Sequence, residues 1–250
     1  MTDDVVITER HGRVALIRLN RPEKRNAINA ALSRGVCAAV AASQDAGCIV
    51  ITGSDPAFCA GLDLKDLGVD RLADFPSYSD ALIASQTPMI AAVNGPAATG
   101  GFEIALACDF IVASEKAAFA DTHVRVGVFP GPVLVDLPRR IGMAWAREMS
   151  MTGNFVDAAT ALRIGLVNHL LPHEELLPFA MKLAADIAEQ DKVMITAMRR
   201  DWDASGGLPV AEARRVHREH RERGGFDSRT GADIAGRREA VLARSKEQRS

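Results

Sequence analysis

Two short apolar runs, Cys48-Ile49-Val50-Ile51-Thr52 and Met89-Ile90-Ala91-Ala92-Val93, each break directly into a stretch of small residues. This repeated transition limits the fold more than any other feature of the chain. Runs of that length suit strands buried on both faces, which need helices to cover them. The surrounding signals supply the helices. Asn26 to Ala42 is alanine-rich, with Ile28, Leu32, Val36 and Val40 at helical spacing, and further helices are predicted around Ser77 to Ser85 and from Gly100 to Cys108. Val5 to Thr8 and Val14 to Leu19 alternate apolar and polar residues on either side of His11-Gly12, a hairpin pattern, and Phe110-Ile111-Val112 is another short strand. The alternation predicts an α/β core with mainly parallel strands. From Leu176 onward the pattern is helical, broken at Ser205-Gly206-Gly207-Leu208-Pro209 and at Gly224-Gly225, which predicts a helical C-terminal subdomain.

With 250 residues, 48% apolar and 25% charged, the chain can bury a large core. The helical ending favours a core over residues 1–190 and an appendage over 191–250. A net charge of −2 offers no general pull toward nucleic acid. Between Glu212 and Arg249 eleven Lys or Arg stand against seven Asp or Glu, and a solvated helix face accounts for that excess. Met1 to Glu9 starts acidic without an apolar signal core, and no later run is long enough to span a bilayer, so a cytoplasmic protein is expected. Cys37, Cys48, Cys59 and Cys108 form no C-x-x-C and read as reduced, space-filling thiols. His169 with His173 and His217 with His220 lack the cysteine or carboxylate partners that a metal site collects, so no metal is expected.

The two loops carry the chemistry. Phe58-Cys59-Ala60-Gly61-Leu62-Asp63-Leu64-Lys65 and Asn94-Gly95-Pro96-Ala97-Ala98-Thr99-Gly100-Gly101-Phe102-Glu103 each lie beyond the end of a strand, where open α/β sheets bind ligands. Small residues there let a ligand approach the backbone, and a helix start offers unpaired N–H groups. Either loop alone reads as an ordinary tight turn, and neither has the spacing of a phosphate or dinucleotide loop. Together they can aim two N–H groups at one oxygen, as a thioester carbonyl needs when an enolate develops on it.

These stretches resemble the two signature loops of the crotonase, or enoyl-CoA hydratase/isomerase, family. Leu19-Asn20-Arg21-Pro22-Glu23-Lys24-Arg25-Asn26-Ala27 is similar to the family's N-terminal segment on the coenzyme A side, and Cys108-Asp109 to the end of its central helix. Thr152-Gly153 with Ala158, Ala161 and Gly165-Leu166-Val167 is similar to a later segment. The resemblance implies an α/β crotonase-like fold of repeated ββα units with a helical C-terminal subdomain for oligomerisation, as a homotrimer or a dimer of trimers. It implies an acyl-CoA or enoyl-CoA partner and no cofactor, since coenzyme A is part of the substrate. By the same resemblance the backbone N–H groups of Leu62 and Gly100 form an oxyanion hole. Ala60, Asp63 and Leu64 line the adenine end of the coenzyme A site, and Lys24, Arg25 and Arg244 contact its phosphates, although exposed basic side chains are more often simply solvated.

Family hydratases use two carboxylates that share a water. Glu103 holds the first position; its other reading is a helix N-terminal acid favoured by the macrodipole. The second position falls on His123, an imidazole that either transfers protons near neutral pH or lines the pocket without a chemical role. The Pro130 to Pro138 loop is one residue shorter than the family's and lacks its extra glycines. That shortening makes the nearby carboxylates of Asp121 and Asp136 worth watching, although both read most simply as loop or helix-edge residues. Hydration of the 2,3 double bond is the leading expectation, a hydro-lyase reaction with Glu103 and His123 as the proton-transferring pair. Double-bond isomerisation, for which one carboxylate suffices, and acyl-CoA binding without turnover are the alternatives.

Overall fold

Residues 4–63, 76–225 and 238–247 are described by a computed structural model of the chain. The chain divides into two compact units, Met1–Lys192 and Val193–Ser250. In the first unit the strands are β1 (Val6–His11), β2 (Val14–Leu19), β3 (Cys48–Gly53), β4 (Met89–Val93), β5 (Ala97–Ala98), β6 (Phe110–Ser114), β7 (Ala118–Ala120), β8 (Val156–Asp157) and β9 (His169–Leu171). Six of them form one sheet in the order β1-β2-β3-β4-β6-β9, and a smaller sheet runs β5-β7-β8. In the large sheet the β1–β2 hairpin is antiparallel and every other pairing is parallel. The helices of this unit are α1 (Ala30–Ala42), α2 (Tyr78–Ile83), α3 (Gly100–Leu106), α4 (His123–Val126), α5 (Val133–Ile141), α6 (Met143–Thr152), α7 (Ala158–Arg163) and α8 (His173–Ala188).

Alternation along the central strands sorts their side chains into two layers, as a period of two requires. Ile17 and Leu19 of β2, Ile49 and Ile51 of β3, and Met89 and Val93 of β4 pack with Leu32 and Val36 of α1 and Phe102 and Ile104 of α3. The intervening Leu16, Val50 and Ile90 pack against Leu176, Ala180 and Ala184 of α8. Each fully buried Leu, Ile or Phe in these layers contributes ~1.5–3 kcal/mol.

The start of α1 differs from the helical reading of Asn26 to Ala42. Pro22–Lys24 makes one short 3-10 turn, and Arg25 and Asn26 then adopt φ of 50° and 56°, which interrupts a helix. Ile28 pairs with Leu62 in a parallel bridge instead, and α1 begins only after Asn29, whose side chain accepts the Leu32 N–H at 2.9 Å.

α9 (Lys192–Ser205), which enters the second unit after its first residue, and α10 (Val210–Arg223) are separated where the glycines predicted a break, and a further helix covers Arg238–Glu247. No residue of α9 or α10 is fully buried. His217 and His220 do have a carboxylate partner, because Asp201 accepts from both rings at 2.8 and 3.0 Å. His173 likewise bonds Asp55 at 3.1 Å and Ser114 at 3.0 Å. Spacing along one helix could not show partners that come from another element. Among the described residues no group of three His, Cys, Asp or Glu is placed to hold a metal ion, and no helix is long and apolar enough to cross a membrane.

Candidate active site

A single parallel bridge, Cys59 with Ala97, aligns the two loops. The Ala98 N–H donates to the Cys59 carbonyl at 3.0 Å, and the N–H groups of Phe58 and Cys59 both reach the Pro96 carbonyl at 3.1 Å. Leu62 and Gly100 each stand three residues beyond the bridged residue of their own loop. Glycine is required where the loops touch. A Cβ on Gly101 would lie 2.2 Å from the Cys59 carbonyl oxygen, and Gly61, at φ 89°, would place one 2.8 Å from the Ala98 oxygen. The buried Asn26 ties the N-terminal segment to the first loop, since its amide donates to the carbonyls of Ser54, Ala57 and Phe58 at 2.8, 2.7 and 3.2 Å.

The Ile28 N–H donates to Gly61 O at 2.7 Å and the Asp63 N–H to Ile28 O at 2.9 Å, so the intervening Leu62 N–H faces the opposite way. Gly100 opens α3, where an N–H has no partner within the helix. Among the described residues neither the Leu62 nor the Gly100 N–H finds an acceptor.

Glu103 lies one turn into α3 and is buried. Its Oε1 makes no hydrogen bond, and Oε2 is 3.4 Å from the Tyr78 hydroxyl. Burial pushes the carboxyl above its ordinary value, Asp121 adds to the rise, and the charge of His123 with the N–H groups of Val133 and Gly131 pulls partly back. The short loop packs directly here, for a Cβ on Gly131 would lie 2.8 Å from Glu103 Oε1. His123, the first residue of α4, is buried too, and its Nδ1 is 2.6 Å from Asp121 Oδ1. Asp121 does lie in the loop between β7 and α4, yet its side chain is only 1% exposed. Burial raises the Asp121 carboxyl, but hydrogen bonding from His123 and Ser150 and the imidazole's charge outweigh that and hold it below its ordinary value.

Tyr78 was missed by sequence reasoning, because nothing in its spacing links it to Glu103. Its hydroxyl lies 2.6 Å from where a Gly100 Cβ would sit, and burial with the neighbouring Glu103 drives the phenol well above its ordinary value. Of the residues that the family resemblance assigns to coenzyme A, Lys24, Arg25 and Ala60 are exposed and gathered by the Ala60 N–H bond to the Arg25 carbonyl at 3.0 Å. Asp63 pairs with Arg21 at 3.2 Å, both nearly buried. Leu64 lies outside the described residues, and Arg244 is in the Arg238–Glu247 helix of the second unit. An apolar cavity of about 610 Å³ is lined by Val124, Phe129, Val133, Leu134, Met151 and Ser150 among others. Val124 adjoins His123 in the chain, while Val133 and Ser150 act on Glu103 and Asp121.

A parallel sheet with two small-residue loops beyond neighbouring strands, over a buried carboxylate and imidazole, defines a crotonase-type α/β protein. Solved structures agree: an enoyl-CoA hydratase from Mycobacterium avium is 40% identical, with 89% of this chain and 99% of that chain covered and a TM-score of 0.73. The enoyl-CoA hydratase from Mycobacterium tuberculosis H37Rv is 38% identical over 88% and 98% of the two chains, with a TM-score of 0.75. A Dictyostelium discoideum relative named "Probable enoyl-CoA hydratase, mitochondrial" is 38% identical over 90% of this chain and 85% of its own. The family model for enoyl-CoA hydratase/isomerase matches residues 9–222. The chain belongs to the enoyl-CoA hydratase/isomerase family and is an enzyme of that family.

Proposed function

We propose that the protein adds water across the 2,3 double bond of an enoyl-CoA thioester. The observation that carries this reading is the buried Glu103 carboxylate, with Oε1 unpartnered, one helical turn from the free Gly100 N–H. The thioester oxygen accepts from the Leu62 and Gly100 N–H groups, and each such donor contributes ~3–4 kcal/mol to the transition state as negative charge develops on that oxygen. Glu103 takes a proton from water while the water oxygen bonds C3. The electron pair of the double bond moves toward the carbonyl, and C2 takes a proton from the His123 imidazolium. Glu103 ends protonated and His123 neutral, so one proton transfer by way of solvent resets the pair. Burial makes Glu103 a stronger base than an exposed carboxylate, which suits this role. The apolar cavity beginning at Val124 takes the remainder of the acyl chain. Lys24, Arg25, Ala60, Asp63, Leu64 and Arg244 are assigned to the coenzyme A side, and the helical second unit to a homotrimer or a dimer of trimers.

The test is loss of the conjugated-thioester absorbance with crotonyl-CoA and a longer 2-enoyl-CoA, run beside Glu103→Gln and His123→Ala. Turnover abolished in both variants supports the paired roles, whereas loss in Glu103→Gln alone removes His123 from the chemistry. Deuterium uptake from solvent without consumption of the conjugated thioester points to isomerisation, and binding of both substrates with no turnover points to an acyl-CoA-binding protein.

A further inference from the structure

We propose that Asp121 is a positioning residue for this reaction, holding His123 with its hydrogen on Nδ1 so that Nε2 alone exchanges protons with the substrate. The inference rests on the reading of His123 as the acid of the hydration. Its basis is the 2.6 Å contact between Asp121 Oδ1 and His123 Nδ1, with the two side chains 1% and 5% exposed. An ionised carboxylate only accepts hydrogen bonds, so Nδ1 must donate. The neutral ring then presents Nε2 as an acceptor and the charged ring presents Nε2–H as a donor, in both cases on the edge away from Asp121. Asp121 itself gains and loses no proton during turnover. The proton leaves Nε2 for C2, and the imidazolium becomes neutral beside a carboxylate that stays ionised.

A purely structural role explains the arrangement less well. Burying a carboxylate is costly unless something compensates, and apolar residues of similar size would fill such a space at least as stably. The segment is also built for positioning. The Thr99 N–H donates to the Ala120 carbonyl at 2.9 Å, and the Thr99 and Thr122 hydroxyls are hydrogen-bonded to each other. Asp121 lies between those two anchors, and Thr99 is the residue from which α3 and Glu103 start. The ionisable groups that act on this pair are thus Asp121 on His123's own segment and Glu103 from α3, with the neutral Ser150 of α6 at Asp121.

The test combines the tautomer with turnover. In protein labelled with ¹⁵N-histidine, long-range proton–nitrogen correlation spectra identify the protonated ring nitrogen, and comparison with His123→Gln assigns the signal. The expected result is His123 protonated at Nδ1 in the parent. In Asp121→Asn the amide can turn a donor toward Nδ1, so the hydrogen moves to Nε2. The variant's kcat on crotonyl-CoA then falls by ~10²-fold or more, with KM changed by no more than about threefold. A parent His123 that carries its hydrogen on Nε2, or an Asn variant with parental kcat, overturns the proposal. The parent spectrum decides the matter even if the variant does not fold. If the parent turns over no enoyl-CoA, the hydratase reading falls on that result alone, while the tautomer still shows whether Asp121 sets the ring.

Discussion

Replacing Glu103 by Gln is expected to move activity and stability in opposite directions. The residue is 8% exposed, Oε1 has no hydrogen-bond partner, Oε2 is 3.4 Å from the Tyr78 hydroxyl, and the nearby N–H groups of Val133 and Gly131 offset only part of the cost of burial. Glutamine keeps the shape and removes the charge. A buried polar group without a partner costs ~1–3 kcal/mol, and more when charged. The amide relieves the charge but still lacks full hydrogen bonding, so the net gain is about 1 kcal/mol, or roughly 2–4 °C in Tm for a chain of this length. The pH dependence has a definite sign. Because the folded carboxyl is raised, the native protein holds its proton above the pH at which the unfolded chain releases it. That contribution to stability is complete below the ordinary value of 4.5 and is lost as pH rises through the folded value. The stability gap between variant and parent is therefore wide in mildly alkaline buffer and closes as pH falls toward 4.5. Thermal unfolding by circular dichroism across that range, paired with crotonyl-CoA turnover, measures both effects. Loss of the base lowers kcat by ~10²–10⁴-fold. A variant less stable than the parent in alkaline buffer would refute the reasoning, because it would make the carboxylate a satisfied structural partner.

Gly101→Ala forces a Cβ to 2.2 Å from a backbone oxygen that cannot move aside, and it should cost ~3 kcal/mol in urea unfolding. Gly127→Ala, at φ 71° with open space around it, should cost only ~1 kcal/mol of backbone strain. Burial pushes the Cys59 thiol up to about 12, so alkylation of the native protein at mildly alkaline pH followed by mass spectrometry should modify the half-buried Cys37 well before Cys59. Tyr78 is the chain's one tyrosine, so the phenolate band in the ultraviolet spectrum reports on it alone. Folded protein should show no phenolate past the ordinary value of 10.0, whereas urea-unfolded protein should ionise there; since the folded phenol is raised, stability should fall as pH climbs above that value.

The strands and most helices were legible because burial imposes a period that a single sequence displays. Met89–Val93 is a strand over the expected residues, and α9 and α10 part at Ser205 to Pro209. Asn26 to Asn29 was not legible as extended chain, since Ile28 fits the helical apolar spacing and only its bridge to Leu62 shows otherwise. In the site, Leu62, Gly100 and Glu103 could be singled out because the two loops that carry them are local stretches of sequence. Tyr78 depends on a contact between separate elements, α2 and α3, that no local pattern records, and although Asp121 is only two residues from His123, that spacing does not show that both side chains are buried against each other.

Thr99 explains why these pieces act as one site. It adopts φ 52° and ψ −116°, a conformation that costs a residue with a side chain ~1–3 kcal/mol and persists only where its surroundings hold it. They do so from three sides: its N–H binds the Ala120 carbonyl, its hydroxyl binds Thr122, and its carbonyl accepts the Glu103 N–H at 2.9 Å. The residue thereby joins the start of α3, with the Gly100 N–H and Glu103, to the segment that carries Asp121 and His123. The site at 123 is consequently fixed by the backbone rather than by the side chain it bears. The imidazole of His123 stands close enough to act on the charge of Glu103, and Asp121, two residues away, holds its Nδ1.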